Sequence, residues 1–490
     1  MNRFPHALTA AVLALFAARF GVAAMHDPPS DGDLAWQRWL GERILSSGTL
    51  PTRLGTETFS AAGSPWLPHE WLFGILTAAA QRVALDRVFD LAVALCAVLA
   101  LTIVARRAAA AGASAFATTL CVLLAGVAMF DSFGVRAQVV AWPLLAAFLA
   151  LLEGGAWWLP VAAVTTVWAN VHASAVLSPV VAVAWAAGVA VRDRFRGGDV
   201  VRASVAAVAA FAALAINPFG FRLVTYAASL VGSPIKGFIT EWQPTTFADA
   251  SFTFGALPLL FAAGAWMWID GRRSPQVLCV LAVGLVLMVS ASRNIPIFAL
   301  VAAPYAALGF TRLLGSPAAA HDGRRERVTS IAALCVVVLA AVTAVSMWRT
   351  PNAPDDTGTL IARLAAETGT QRLFCQDYSW CGAAVGRSRI RVFLDGRADP
   401  YPLPVWRAEV RIAHALAGWQ QTLLSYGVDA IIAERRSPLG DALARSDRWV
   451  PTASAGPYAL FVRHVPDVHT GRRANQAAGA QPSGVLQPAR

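Results

Sequence analysis

Two aspartates separated by a glycine, Asp31-Gly-Asp33, follow the first apolar segment of this 490-residue chain and precede the aromatic stretch Leu34-Ala-Trp36-Gln-Arg-Trp39. A carboxylate serves a hydroxyl nucleophile as general base, or a divalent cation as ligand. Polar residues interrupt otherwise apolar sequence again at Glu70, Arg136, Gln138, Asn170, His172, Glu241 and Arg293. Such groups are expensive at membrane depth and usually face a cavity or a partner. Arginine suits the bidentate geometry of phosphate, so carboxylates, two arginines and a histidine on one face can line one substrate-binding cavity. Each also has a structural alternative. Asn170 and His172 can hydrogen-bond between helices, Arg293 can snorkel to headgroups, and Glu241-Trp242 can anchor at the interface. Neither a Walker loop nor a dinucleotide-type glycine fingerprint is evident. A base, an acceptor and a phosphate clamp without a nucleotide site imply transfer from a lipid-phosphate donor. The spacing does not assign metal ligands, and a divalent cation remains an open expectation.

The elements that must position these residues are membrane helices. The chain is 57% hydrophobic and 14% charged, with mean hydropathy +0.54, beyond what a soluble globular surface tolerates. Apolar runs predict spans at 5–24, 88–105, 115–131, 138–153, 157–172, 174–191, 202–217, 252–269, 276–291, 295–313 and 328–347, each near the length that crosses about 30 Å of hydrocarbon. Arg106-Arg107, Arg192 to Arg196 with Arg202, Arg272-Arg273 and Arg324 to Arg327 fall on alternate connections, which makes that side cytoplasmic. The formal charge of +11 is therefore read as inner-leaflet bias and not as nucleic-acid binding. Arg3 places the N-terminus inside, at the inner (plasma) membrane. Parity then requires 25–87 to cross an even number of times.

The apolar part of His69-Glu70-Trp71 to Arg82 is too short to span, and is read as an interfacial or re-entrant helix. Residues 25–87 thus form a structured outer loop, with indoles at headgroup depth. The first segment reads as a retained anchor, although Val22-Ala23-Ala24 resembles a small-residue cleavage site.

In plan and in motif the chain resembles the GT-C superfamily of integral membrane glycosyltransferases, the group that includes aminoarabinose and mannosyl transferases. The resemblance rests on Asp31-Gly-Asp33, Trp36, Gly41, Gly48-Thr-Leu-Pro51, Phe59-Ser60, Gly63-Ser-Pro-Trp66 and Glu70-Trp71-Leu in the first outer loop. It implies an all-α polytopic membrane bundle of about 11 transmembrane helices, GT-C-like, with a small extracytoplasmic α/β C-terminal domain. It also implies a polyprenyl-phosphate-linked sugar donor, a lipid or glycan acceptor, Asp31 or Asp33 as base or metal ligand, and Arg136 or Arg293 on the lipid phosphate. Many members carry adjacent acidic residues in this loop, whereas here a glycine separates them, which leaves the roles of Asp31 and Asp33 interchangeable. A transporter or flippase, or a non-catalytic assembly protein, is the alternative from other classes.

After residue 348 polar periodic segments replace the apolar runs, dividing the chain into a membrane part, 1–348, and an α/β part, 349–466. Helices are expected at 357–368, 404–425 and 438–445, and strands at 371–375, 390–394, 429–433 and 457–463. Cys375 and Cys381 lie six apart and could form a local disulfide. Asp395-Gly-Arg397-Ala-Asp399 follows a strand, where α/β folds place ligand contacts; a turn held by an Asp–Arg pair is the simpler reading. Residues 467–490 are expected to be a disordered tail.

Overall fold

The computed structural model describes residues 4–26, 32–270, 274–313 and 355–464. Asp31, the expected span 328–347 and the expected tail lie outside the described residues.

Ten of the expected spans lie within the described residues, and each is built around a helix: α1 (Phe4–His26), α4 (Asp86–Ala110), α5 (Ala115–Phe130), α6 (Ala137–Glu153), α7 (Trp158–Val171), α8 (Leu177–Arg192), α9 (Gly198–Ala213), α11 (Leu257–Ile269), α12 (Pro275–Ser290) and α13 (Ile295–Leu313). Among the described residues, five helical stretches are long and apolar enough to cross a membrane; the protein is multi-pass. α13 is the central post, packed by α4, α5, α6, α11 and α12. Its Ala299, Leu300, Val301, Ala302 and Ala303 are all buried, because small side chains let neighbouring backbones close in where apolar surroundings supply no hydrophobic drive. One extra turn, Ser251–Ala256, is π-helical and precedes α11.

The loop between α1 and α4 carries α2 (Gly32–Ser47) and α3 (Trp71–Arg82). α3 has 12 residues, about 18 Å at 1.5 Å per residue, and so falls short of a bilayer's hydrocarbon. It packs along α2, with Gly41 against Gly74: a Cβ on Gly41 would lie 1.9 Å from the Gly74 carbonyl oxygen, so the crossing requires glycine. α10 (Arg222–Val231) is a further short helix.

The C-terminal unit is a five-stranded mixed sheet in the order β2-β1-β3-β5-β4. Its strands are β1 (Gln371–Cys375), β2 (Ile390–Val392), β3 (Ala430–Glu434), β4 (Trp449–Ala455) and β5 (Tyr458–Arg463). β1 pairs in parallel with β2 and β3; β5 is antiparallel to β3 and β4. The sequence reading misses β4, whose Trp-Val-Pro-Thr-Ala-Ser-Ala is small, polar and proline-bearing because it is the edge strand.

The outer loop does not merely lie beside this sheet. Thr58 bridges to Val392, the Val392 amide donates to the Glu57 carbonyl at 2.8 Å, and the Phe59 amide donates to the Val392 carbonyl at 3.2 Å. Trp36, Leu40, Leu54 and Trp66 are buried in the same apolar core as Leu373, Phe374, Val392 and Ile431. Loop and sheet therefore form one packed unit.

Cys375 and Cys381 are disulfide-bonded, which ties the end of β1 to the 3-10 segment Tyr378–Ala384. Closing so short a loop contributes about 2 kcal/mol by restricting the unfolded chain. Cys381→Ser is expected to lower the unfolding midpoint of the purified protein accordingly, and dithiothreitol should lower the wild type to the same value; no change in either would show the bond to be dispensable.

Candidate functional site

A cavity of about 1190 Å³ lies between one end of the helix bundle and the sheet unit, roomy enough for an extended ligand. The connections that deliver its polar groups are α5–α6, α7–α8, α10–α11 and α12–α13, together with the α1–α4 loop. All of them belong to the side that the charge pattern marks as outer.

The bundle wall is built around two arginines. Arg136 caps the start of α6, and Arg293 sits in the 3-10 turn Ser292–Asn294 between α12 and α13. Asp33, in the first turn of α2, meets Arg136 Nε with Oδ2 at 3.3 Å. Glu241 bridges both cations, at 3.8 Å to Arg136 Nη1 and 3.2 Å to Arg293 Nη1. Gln138 fixes Arg293 from both ends. Its Oε1 accepts from Arg293 Nη2 at 3.0 Å, and its Nε2 donates to the Arg293 carbonyl at 3.3 Å. Burial alone would raise the Glu241 carboxyl, but Arg293 and then Arg136 outweigh it and hold it below the ordinary range. The arrangement is a pair of oriented, partly exposed guanidinium groups with carboxylates beside them.

Deeper in the cavity lies a second cluster. Glu70, immediately before α3, faces His172 Nε2 at 3.5 Å and accepts a short hydrogen bond from Gln37. Burial, reinforced by repulsion from Asp33, raises the Glu70 carboxyl to about 8. His69 stands edge-on to His172, ring centroids 5.5 Å apart; burial, then Arg293, lowers its imidazole to about 3 and keeps it neutral. His172 is held by Ser174, whose Oγ lies 2.7 Å from His172 Nδ1 and accepts from Trp168 Nε1 at 2.9 Å. Ligand atoms of His69, Glu70 and His172 lie within 4.8 Å of one another. That is slightly wider than the roughly 4 Å that two donors about 2.1 Å from one ion can span. Across from them Asp399, on the sheet unit, shares a hydrogen bond with Tyr226 of α10, and burial raises its carboxyl to about 7.

Of the residues singled out in the sequence, Asp33, Glu70, Arg136, His172, Glu241 and Arg293 line this cavity. Asn170 stands apart from it. Its amide donates to the Thr166 carbonyl at 2.8 Å and the Ile216 carbonyl at 2.7 Å, which is the helix-tying role that competed with a binding one. The glycine between the aspartates has a steric reason, since a Cβ on Gly32 would lie 1.7 Å from the Ser379 carbonyl oxygen. α2 therefore starts against the disulfide-tied segment of the sheet unit. Asp395 and Arg397 form the buried pair anticipated for a turn, with Arg397 Nη2 at 2.6 Å from Asp395 Oδ2. Asp399 of the same motif reaches the cavity. The reading overlooked His69, Gln37 and Tyr226. His69 adjoins Glu70 and was legible in principle; Tyr226 lies in a short amphipathic helix with no chemical signature.

The sequence matches no protein-family model, and no match is found among curated proteins. Solved structures do match. An archaeal oligosaccharyltransferase, AglB from Archaeoglobus fulgidus in complex with an inhibitory peptide and a dolichol-phosphate, aligns at TM-score 0.58 and 13% identity, over 94% of this chain and 74% of that chain. The Archaeoglobus fulgidus enzyme tethered with an acceptor peptide aligns at 0.57 and 14%, over 96% and 75%. The same enzyme in complex with Zn and sulfate aligns at 0.54 and 13%, over 86% and 68%. At this identity the likeness is one of fold: the chain folds like that oligosaccharyltransferase.

Proposed function

We propose that this chain, with the fold of a GT-C membrane transferase, moves a sugar from a polyprenyl-phosphate carrier to an acceptor at the outer face of the plasma (inner) membrane. In this reading the N-terminus is cytoplasmic, 1–348 is the membrane domain and 349–466 an extracytoplasmic domain. One observation carries it: Asp33 and Glu241 face Arg136 and Arg293 in a single cavity. The neighbours' dolichol-phosphate and acceptor peptide support the same class of donor and a two-substrate cavity.

In the proposed reaction an acceptor hydroxyl attacks the anomeric carbon of the donor sugar. Its proton passes to Asp33, the bond from that carbon to the phosphate oxygen breaks, and polyprenyl phosphate leaves with its new charge held by Arg136 and Arg293. Glu241 spaces the two guanidinium groups and Gln138 fixes the second.

The inner cluster carries the donor types of a divalent-cation site, and its ligand atoms, within 4.8 Å of one another, would have to draw together by several tenths of an ångström to share one ion. Among the described residues His69 Nδ1 is buried without a hydrogen-bond partner, and two neutral imidazoles and a carboxylate are a zinc-type donor set. His69, Glu70 and His172 would be the ligands, and an ion held there would supply Lewis-acid chemistry.

The test is transfer by the purified protein in lipid nanodiscs from a radiolabelled polyprenyl-phosphate sugar pool. Arg293→Ala is expected to lower kcat/KM about 100-fold, in line with loss of one preorganised donor to a developing anion, with Arg293→Lys intermediate. Chelation should lower the wild-type rate, and added zinc restore it. Full activity of Arg293→Ala would remove the phosphate clamp from the account.

A further inference from the structure

The sheet-unit wall of the cavity has no role in the reaction described above. Arg136 and Arg293 belong to the bundle wall, where Asp33 and Glu241 already accompany them. The sheet unit contributes Asp355, Asp356, Asp377, Asp399 and Glu409 to the lining, with His414 and no lysine, and with Arg397 already committed to Asp395 and Glu57. Glu409 is the unusual member. It lies on the helix Leu403–Ala413, is 4% exposed, and lines the cavity with Oε2 lacking any hydrogen-bond partner among the described residues. Burial, and then the like charge of Asp377, raises its carboxyl well above the ordinary range. A buried carboxylate with neither cation nor donor costs stability, and such a group is accounted for when a ligand supplies what the protein withholds.

Aromatic rings surround the same spot. Tyr378 stands edge-on to Trp406 at 5.0 Å between centroids, and Phe238 stacks on Trp406 at 5.9 Å. Carboxylates among indole and phenol rings are the surroundings that a protonated amine prefers, through charge-assisted hydrogen bonds and cation–π attraction. Tyr378, Glu409 and the proposed base Asp33 line the same cavity, so one ligand can face both carboxylates.

We propose that Glu409 and Asp377, framed by Tyr378 and Trp406, form a subsite for a protonated amino group on the acceptor, which makes the acceptor an amine-bearing molecule. The assignment rests on reading the cavity as a transferase site, but its test needs no transfer. Full-length protein in nanodiscs is titrated with glucosamine and with N-acetylglucosamine, the same ring with and without a cationic nitrogen, followed by saturation-transfer NMR. Glucosamine is expected to bind at least tenfold more tightly, and to lose at least tenfold with Glu409→Gln and severalfold with Asp377→Asn. Asp377 is exposed, so its variant folds even if the buried one does not; unchanged unfolding midpoints certify both.

Equal binding of the two sugars would overturn the proposal in favour of a neutral hydroxyl site. Glucosamine binding indifferent to both variants would overturn it altogether. Failure of transfer chemistry at Asp33 or Arg293, with glucosamine binding intact, would instead count against the reaction and leave this subsite standing.

Discussion

Asp33→Asn is expected to lower sugar transfer by two to four orders of magnitude, the usual contribution of a positioned general base, about 10²–10⁴-fold. Asparagine keeps the shape of the side chain and its contact with Trp36 Nε1, which donates to Asp33 Oδ1 at 3.4 Å, but it cannot accept a proton. The fold should be indifferent. Asp33 is about a quarter exposed, and Arg136 retains Glu241 as its counter-ion. The loss should therefore appear in kcat with the unfolding midpoint unchanged. Asp31→Asn provides the contrast, because the account gives the chemistry to Asp33 alone. Glu70→Gln tests the second candidate base: burial raises the Glu70 carboxyl to about 8, which favours its neutral form at neutral pH and makes it the weaker base of the two. If Asp33→Asn transfers at the wild-type rate, Asp33 is not the base.

Arg397→Ala has the largest expected effect on stability. Its guanidinium is fully buried. It donates to Asp395 Oδ1 at 2.9 Å and Oδ2 at 2.6 Å, and to Glu57 Oε1 at 2.8 Å, and it lies 5.0 Å from the Trp66 ring centroid and 5.3 Å from that of Trp39. Tyr401 completes the ring by donating to Asp395 Oδ2 at 2.7 Å. Removing the cation leaves the wholly buried Asp395 without a counter-ion and Glu57 with only Arg43, at 3.7 Å, which costs about 3–5 kcal/mol. Because Glu57 and the two tryptophans come from the outer loop while Asp395 and Tyr401 come from the sheet unit, the same change should free the loop from the sheet. Proteolysis within residues 48–66 should accelerate together with the drop in unfolding midpoint. A loss under about 1 kcal/mol would mean that the loop is held by its apolar core alone.

The helices, and the gathering of the polar connections at one end of the bundle, were legible because both rest on one-dimensional signals. Apolar run length marks a span, and alternating arginines mark a side. The α3 helix was legible for the same reason, being too short to cross. Helix-terminal residues such as Arg136 and Arg293 were likewise visible as costly charges at the ends of apolar runs. What stayed hidden was pairing across long sequence distance. Nothing local shows that Glu57 meets Arg397, that Asp399 meets Tyr226, or that Gly32 must make way for Ser379. Asn170 illustrates the limit from the other side. Its residue type and position suited a binding site, but two backbone carbonyls take its amide. β4 was missed because an edge strand needs no apolar alternation to be recognised by its neighbour.

The most direct measurement is electron cryomicroscopy of the protein in nanodiscs containing polyprenyl phosphate. The account predicts headgroup density between Arg136 and Arg293, facing Asp33, with the prenyl chain leaving towards the bilayer. Headgroup density elsewhere on the protein, with both arginines still engaged by Asp33, Glu241 and Gln138, would contradict it.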